Sequence, residues 1–347
     1  MKTLELARAE YRLHSIRWGF YWALWCAVLW GAWYVPGTAV WYEPPFVDIG
    51  AGGHREFLLA AAVITAFSSV AVLFFLFVWL AVLEKWGEYG RTIRQLRISK
   101  WYYLGGVFGG PCALFGSYLA IGYVGPVFAA IAALMYPVVG ATLARLWYHE
   151  NISARAALGI AVILIGGVSI YAPGLLGESS NPGDGAWLGY LGGLMAAVGW
   201  GLEGAIAGRV LDISDPDVGI TLRFTAEVFY WIFLILPAIL FFSDADVMTL
   251  IGSAFNFQTM VWILLAGVSF AFCYVAWYKS FPLIGVARGQ AIATLYGVFA
   301  VLFLSIFTLS LPEWHFLIGL ALTISGGLIM FTERPEMLEV IRNTDLA

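Results

Sequence analysis

The sequence predicts an all-α integral membrane protein: ten transmembrane helices, arranged as two inverted five-helix repeats, with both termini in the cytoplasm. Three observations predict it. The chain contains repeated apolar runs of membrane-spanning length, its Lys and Arg residues fall on one side of those runs, and its two halves resemble each other. Of 347 residues, 61% are hydrophobic and 12% charged, whereas soluble domains carry about 25% charged residues. An apolar run of about twenty residues crosses a bilayer only as a helix or a closed barrel, because its backbone must satisfy its own hydrogen bonds.

The spans are expected at 18–36, 57–83, 102–122, 126–147, 154–172, 186–208, 218–241, 259–280, 285–309 and 313–332. The first lacks a small-residue cleavage site and is read as a retained helix. Turn chemistry punctuates the links: GYVGP at 122–126, ESSNPGDG at 178–185, SDPD at 214–217 and FPLIG at 281–285. Residues 1–174 would form the first repeat with a basic N-terminal segment, 175–185 an outer linker, 186–333 the second repeat and 334–347 a cytoplasmic tail.

Orientation follows from the cations. Lys2, Arg8, Arg12 and Arg17 precede the first span, and Lys85, Arg91, Arg94, Arg97 and Lys100 lie between the second and third. Arg145, Arg155, Arg209, Lys279, Arg288, Arg334 and Arg342 fall on the same side. The positive-inside rule makes that side cytoplasmic, leaving Arg55 outside and Arg223 within a span.

The halves match in order. AVLWGAWYV (27–35) aligns with AVGWGLEGA (197–205), setting Trp33 opposite Glu203, and GPVFAAIAALMYP (125–137) aligns with GVARGQAIATLYG (285–297), setting Tyr136 opposite Tyr296. Five spans per half is an odd number, so the second copy must be inverted. Inverted repeats are typical of secondary transporters, with the substrate near the midplane where the repeats meet.

YLAIGYVGPVFAAIAALMYPVVGATLARLWYHENIS (118–153) resembles the signature of EamA-type members of the drug/metabolite transporter superfamily, with matching residues at Ala120, Tyr123, Pro137 and Glu150. The second half keeps the pattern more loosely, from Tyr278 to Tyr296, with Gly297 where the first half has Pro137. The likeness covers most of residues 18–332 and implies the same ten-span, inverted-repeat layout. It implies a fold family and not a substrate. Two features depart from the family pattern: a long outer loop at 37–56, and a long basic inner loop at 84–101.

Several function classes are excluded or left without support. A net charge of −4 without a basic block gives no reason for a nucleic-acid partner. Cys26, Cys112 and Cys273 lie in apolar runs and are read as free core thiols. DISDPD (212–217) lacks the Gly and terminal Glu of a calcium loop, and no phosphate-binding loop is present. His14, His54, His149 and His315 are scattered. The chain is therefore read as a non-enzyme, without cofactor or metal.

The informative residues are the charges inside spans, since a mid-bilayer charge costs about 2.5–3.5 kcal/mol on insertion scales. Glu203 sits in span 6 within GWGLEGAIAGR (199–209); Arg223 and Glu227 sit in span 7 at i and i+4, placed to pair. Two readings of Glu203 stay open. It either pairs with Arg223, or faces a central cavity as a proton site or as counter-ion to a cationic solute. Arg288, in the first turn of span 9, is expected to snorkel to the interface, as is Lys279.

Aromatic residues extend the candidate site. Sixteen tryptophans are present, and Trp18, Trp86, Trp101, Trp147, Trp187 and Trp314 suit interfacial belts. In span 1, Trp18, Trp22, Trp25 and Trp33 fall within about 80° of arc at 100° per residue, so they should share one fate, with Trp30 about 60° further round. Tyr136 and Tyr296 fall near the midplane, where each hydroxyl needs a partner. The expected solute site comprises Trp30, Trp33, Tyr118, Tyr136, Trp200, Glu203, Gln290 and Tyr296, with Glu203 as coupling residue and Arg223, Glu227 and Arg288 as charge partners. Aromatic faces beside a carboxylate suit an ammonium group.

The function this points to is secondary transport of a small, amine-bearing organic solute with proton coupling. An organic acid held by Arg223 or Arg288 is the alternative cargo, and a structural or assembly membrane protein the alternative class. Expected partners are the solute and membrane lipid, with a homodimer left open. The expected location is a bacterial inner membrane.

Overall fold

The computed structural model describes residues 2–49, 54–150, 152–180, 185–242, 247–309 and 314–332. Among them there are helices and no strands. In chain order the principal helices are α1 (Lys2–Ala39), α2 (His54–Val82), α3 (Trp86–Arg94), α4 (Leu96–Tyr123), α5 (Pro126–Ala133 and Tyr136–Tyr148) and α6 (Ala154–Ser180). They continue with α7 (Ala186–Val210), α8 (Pro216–Phe242), α9 (Val247–Ala254), α10 (Phe257–Ile284), α11 (Val286–Ala293 and Tyr296–Thr308) and α12 (Trp314–Phe331). Eight of the described helices (α1, α2, α4, α5, α7, α8, α10 and α11) are long and apolar enough to cross a membrane. In α6 and α12 the described apolar stretches run over Ala154–Ser169 and Phe316–Met330. This is an all-α protein of membrane character. The outer linker expected at 175–185 is helical through Ser180; the tail at 334–347 lies outside the described residues.

Three departures from the sequence reading concern connections. The basic segment 84–101 is helical rather than loop, because α3 is an amphipathic helix and α4 begins at Leu96, before the expected span. The outer segment 37–56 contains helical turns at Val40–Tyr42 and Phe46–Ile49. Helix α9 follows the seventh expected span, where none is expected.

Helix α1 packs against α10 and α11, while α7 packs against α4 and α5. Likewise α2 packs against α10 and α4 packs along α8, with α6 against α12. The glycines at the crossings correspond: Gly31 of α1 lies against Phe299, and Gly201 of α7 against Val139, too closely for a side chain in either place.

Helices α5 and α11 share one local design. Each opens after a glycine with positive φ, Gly125 (140°) and Gly285 (85°), a conformation in which a Cβ is strained. Each then runs for 8 residues, breaks for two, and resumes at a tyrosine for 13. Each ends on a left-handed residue, His149 (φ 52°) and Leu309 (φ 53°).

Helices α4 and α8 each contain a wider, π-helical stretch, Phe108–Leu114 and Tyr230–Ile235. The stretch in α4 contains Pro111, which has no N–H to donate to the preceding turn.

Candidate functional site

Two buried groups of side chains meet between α1, α2, α4, α5, α7, α8, α10 and α11, one charged and one aromatic. The charged group is built around Arg223 of α8. Its Nε lies 2.6 Å from Glu203 Oε1 and its Nη2 donates to Glu203 Oε2 at 3.2 Å. Its Nη1 donates to Glu227 Oε2, one helical turn along α8. All three residues are fully buried (0% exposed). Of the two readings of Glu203, the structure therefore has the one in which it pairs with Arg223.

Neighbouring elements complete the shell. Tyr278 of α10 donates its hydroxyl to Glu203 Oε1 at 3.2 Å, and Ser69 of α2 lies 2.5 Å from Glu227 Oε1. The guanidinium stands 4.0 Å from the ring centre of Phe224 and 4.9 Å from that of Tyr274. On the remaining side, α4 presents Gly109 and Gly110 in its wider turn. A Cβ at Gly109 would overlap Arg223 and Glu203, and one at Gly110 would overlap Glu227. Two carboxylates thus share one guanidinium in a glycine-backed chamber.

The aromatic group adjoins it. Trp30 stacks on Tyr296 at 4.7 Å and meets Trp200 at 4.8 Å and Tyr136 at 5.3 Å. Trp33 stacks on Phe270 at 4.8 Å and meets Tyr118 at 5.6 Å. Trp200 donates its indole N–H to Tyr274 at 2.7 Å, and Tyr274 stands under the Arg223 guanidinium, so this residue joins the two groups. The space among Trp30, Trp200, Phe270, Cys273, Tyr274 and Trp277 is too narrow to admit water.

The tyrosine hydroxyls expected to face a polar cavity instead donate to backbone: Tyr136 to Gln290 O at 2.7 Å, and Tyr296 to Ala130 O at 2.6 Å. The side-chain amide of Gln290 donates to Trp200 O at 3.3 Å. The structure thus brings Trp30, Trp33, Tyr118, Tyr136, Trp200, Gln290 and Tyr296 together, with Glu203, Arg223 and Glu227 alongside. Arg288 is buried (1% exposed) on the same short helix as Gln290 and does not snorkel.

The tryptophan stripe of α1 does not hold as one face. Trp33 is buried while Trp18 and Trp25 are exposed, because the packing partners of α1 cover different sides along its length. Lys279 is partly exposed, and its ammonium is tied 3.0 Å from Asp217 Oδ1 and lies over the rings of Trp22 and Trp79.

That contact belongs to a second charged cluster, at the end of the bundle carrying Lys85. Lys85, beyond the end of α2, bridges Asp215 at 2.6 Å and Asp217 at 2.7 Å. Trp79 of α2 donates to Asp217 Oδ1 at 2.9 Å. Asp215 also caps α8, accepting from the backbone N–H groups of Asp217 and Val218. Burial disfavours the Lys85 ammonium, but Asp215 and Asp217 outweigh it and hold the group above its ordinary value. Glu150, the acid of the signature stretch, accepts the N–H groups of Val286 and Ala287 at 3.1 and 3.2 Å, at the start of α11.

Ser69, Tyr278, Tyr274 and the glycine pair are the site residues that sequence reasoning misses. Ser68–Ser69 is a polar pair in an otherwise apolar run, and GGVFGG (105–110) repeats a glycine pair one helical turn apart. Both patterns signal a close or polar contact without naming its partner.

No family model and no curated protein matches the chain. A solved structure described as "Crystal structure of protein" superposes with a TM-score of 0.63 over 91% of this chain and 95% of its own, at 16% identity. The likeness is one of fold. It extends over nearly the whole chain, so the bundle is an established architecture, and it carries no activity with it.

Proposed function

We propose that the chain is a secondary active transporter of the drug/metabolite, EamA-like type, carrying a small amine-bearing solute by alternating access across a bacterial inner membrane. The observation that carries this reading is the buried Glu203–Arg223–Glu227 group, with more acid than base, set against an aromatic cluster. Ionisable residues at membrane depth are rare, and they mark ion and substrate pathways. The aromatic faces beside carboxylates suit an ammonium cargo. Arg223 already faces two carboxylates, which weighs against an organic acid bound there.

The ten-span inverted repeat is supported by the matched anatomy of α5 and α11 and by the paired helix contacts. An inversion axis would exchange α1 with α7, α4 with α10 and α5 with α11, and the contacts of α1 with α10 and α11 then become those of α7 with α4 and α5. The one-sided Lys and Arg residues support a cytoplasmic location for the end bearing Lys85 and Lys279. There the cluster of Lys85, Lys279, Asp215 and Asp217 ties α2 of the first half to α8 and α10 of the second, as a closed inner gate would.

The test is a thermal-shift screen of purified protein with quaternary ammonium, primary amine, amino acid and carboxylate panels. Solutes that stabilise the protein are then applied to proteoliposomes on a solid-supported membrane. Stabilisation and transient currents are expected from amines. Carboxylate-only responses would move the cargo to the alternative class. No solute-dependent stabilisation and no current would leave a structural role.

A further inference from the structure

We infer that the buried Glu203–Arg223–Glu227 group is a one-proton binding site, with the exchangeable proton on Glu227 Oε1 and Glu203 as the permanent counter-ion of Arg223.

Two independent counts lead there. The first is of hydrogens. Ser69 Oγ lies 2.8 Å from the carbonyl oxygen of Thr65 and 2.5 Å from Glu227 Oε1. A serine hydroxyl has one hydrogen, and a backbone carbonyl can only accept. The contact to Thr65 is the usual i−4 bond of a helical hydroxyl, repeated in this chain by Thr65 to Ala61, Thr221 to Asp217 and Thr225 to Thr221. With the Ser69 hydrogen kept in that bond, the contact to Glu227 is made by a hydrogen on Oε1, Ser69 Oγ accepting. The other oxygen, Oε2, accepts from Arg223 Nη1, as the carbonyl oxygen of a neutral acid does.

The second count is of charge. Glu203 approaches Arg223 at two nitrogens, Nε at 2.6 Å and Nη2, which donates to Oε2 at 3.2 Å, and it also accepts from Tyr278, contacts suited to an ionised carboxylate. With Glu227 ionised as well, the chamber would hold an uncompensated negative charge, the costly case for a buried ion group. Among the described residues, no other element supplies a balancing cation: α2 contributes Ser69, α4 contributes Gly106 and Gly110, α7 contributes Glu203, and α10 contributes Tyr274 and Tyr278. A proton on Glu227 makes the group neutral.

Use of this proton as the coupling ion rests on the transporter reading above. Release of H⁺ from Glu227 to water, with one monovalent cationic solute taken up beside it, leaves the formal charge unchanged, so the exchange is one for one. The sequence points to Glu203 for this role; the geometry moves it one partner along.

The experiment is infrared spectroscopy of the purified protein in lipid nanodiscs at neutral pH, with wild type compared against E227Q, E203Q and S69A. A carboxylic-acid C=O band is expected in wild type, lost in E227Q and retained in E203Q. In S69A, where the acid loses its acceptor, the band should persist and shift to higher wavenumber. Gln has the shape of a protonated Glu, so E227Q should fold; if it does not, the S69A shift decides. Absence of the band in wild type, its persistence in E227Q, or an unmoved band in S69A overturns the assignment. The band is read without any solute, so it stands or falls separately from transport.

Discussion

Tyr136 and Tyr296 make the same hydrogen bond in opposite directions. Tyr136 of α5 donates to the carbonyl of Gln290 on α11, and Tyr296 of α11 donates to the carbonyl of Ala130 on α5. Both carbonyls belong to the short first segments of their helices, and each tyrosine begins the segment after the break. The two broken helices are thereby cross-tied at the level of Trp30, whose indole touches both rings.

Tyr136→Phe and Tyr296→Phe should therefore cost nearly the same, each about 1 kcal/mol for one buried neutral hydrogen bond. Thermal unfolding of the two variants checks this. A large loss in one and none in the other would show that the cross-ties are not equivalent.

Arg223→Met leaves Glu203 buried without its cation, and the expected loss is about 3–5 kcal/mol. Adding Glu203→Leu to the same protein should recover most of it, since apolar residues replace a buried ion pair at little cost. Unfolding midpoints of the single and double variants measure the recovery. A double variant no more stable than the single would mean that the ion pair is not what the position requires.

Gly109→Ala and Gly110→Ala should destabilise by about 1–3 kcal/mol, because the added carbon would displace the Arg223, Glu203 and Glu227 groups. Gly87→Ala, in the exposed helix α3 with open space around it, is the control. It should stabilise by about 0.5–1 kcal/mol, the ordinary gain from replacing a helical glycine. Size-exclusion profiles in detergent, read with thermal scans, distinguish these outcomes.

Lys85 gives a pH dependence whose sign is fixed by its partners. Its folded-state pKa is raised, so its stabilising effect is complete below the unfolded value of 10.5 and is lost as pH rises through the folded value. Lys85→Met should thus lower the unfolding temperature by a constant amount at neutral and mildly alkaline pH. The gap to wild type should close only in strongly alkaline solution. A gap that closes near neutrality would refute the pairing with Asp215 and Asp217.

How far the sequence can be read varies with the range of the interaction. Long apolar runs mark most of the spanning helices, and the likeness of 125–137 to 285–297 anticipates two helices that share a break before Tyr136 and Tyr296. The pairing of Arg223 with Glu227 follows from i,i+4 spacing. Its pairing with Glu203 is one of two options, because spacing along one helix says nothing about which neighbour a side chain faces. Ser69 reaches Glu227 from a helix in the other half of the chain, a contact that no local pattern contains. Trp25 and Trp33 share an arc of α1 yet differ in exposure, since burial is decided by the helices packed alongside. The same reason hides Arg288 from solvent although it sits near a helix end.

The two charged clusters differ in their contact with water, and this makes them separable by salt. Lys85 and Lys279 are 26% and 20% exposed, whereas Glu203, Arg223 and Glu227 are fully buried. The Debye length falls from about 30 Å at 0.01 M to about 3 Å at 1 M, and only solvent-facing charges feel that change. Ionic strength therefore addresses the Lys85 cluster and leaves the Arg223 group alone, a handle on one end of the bundle that needs no mutation.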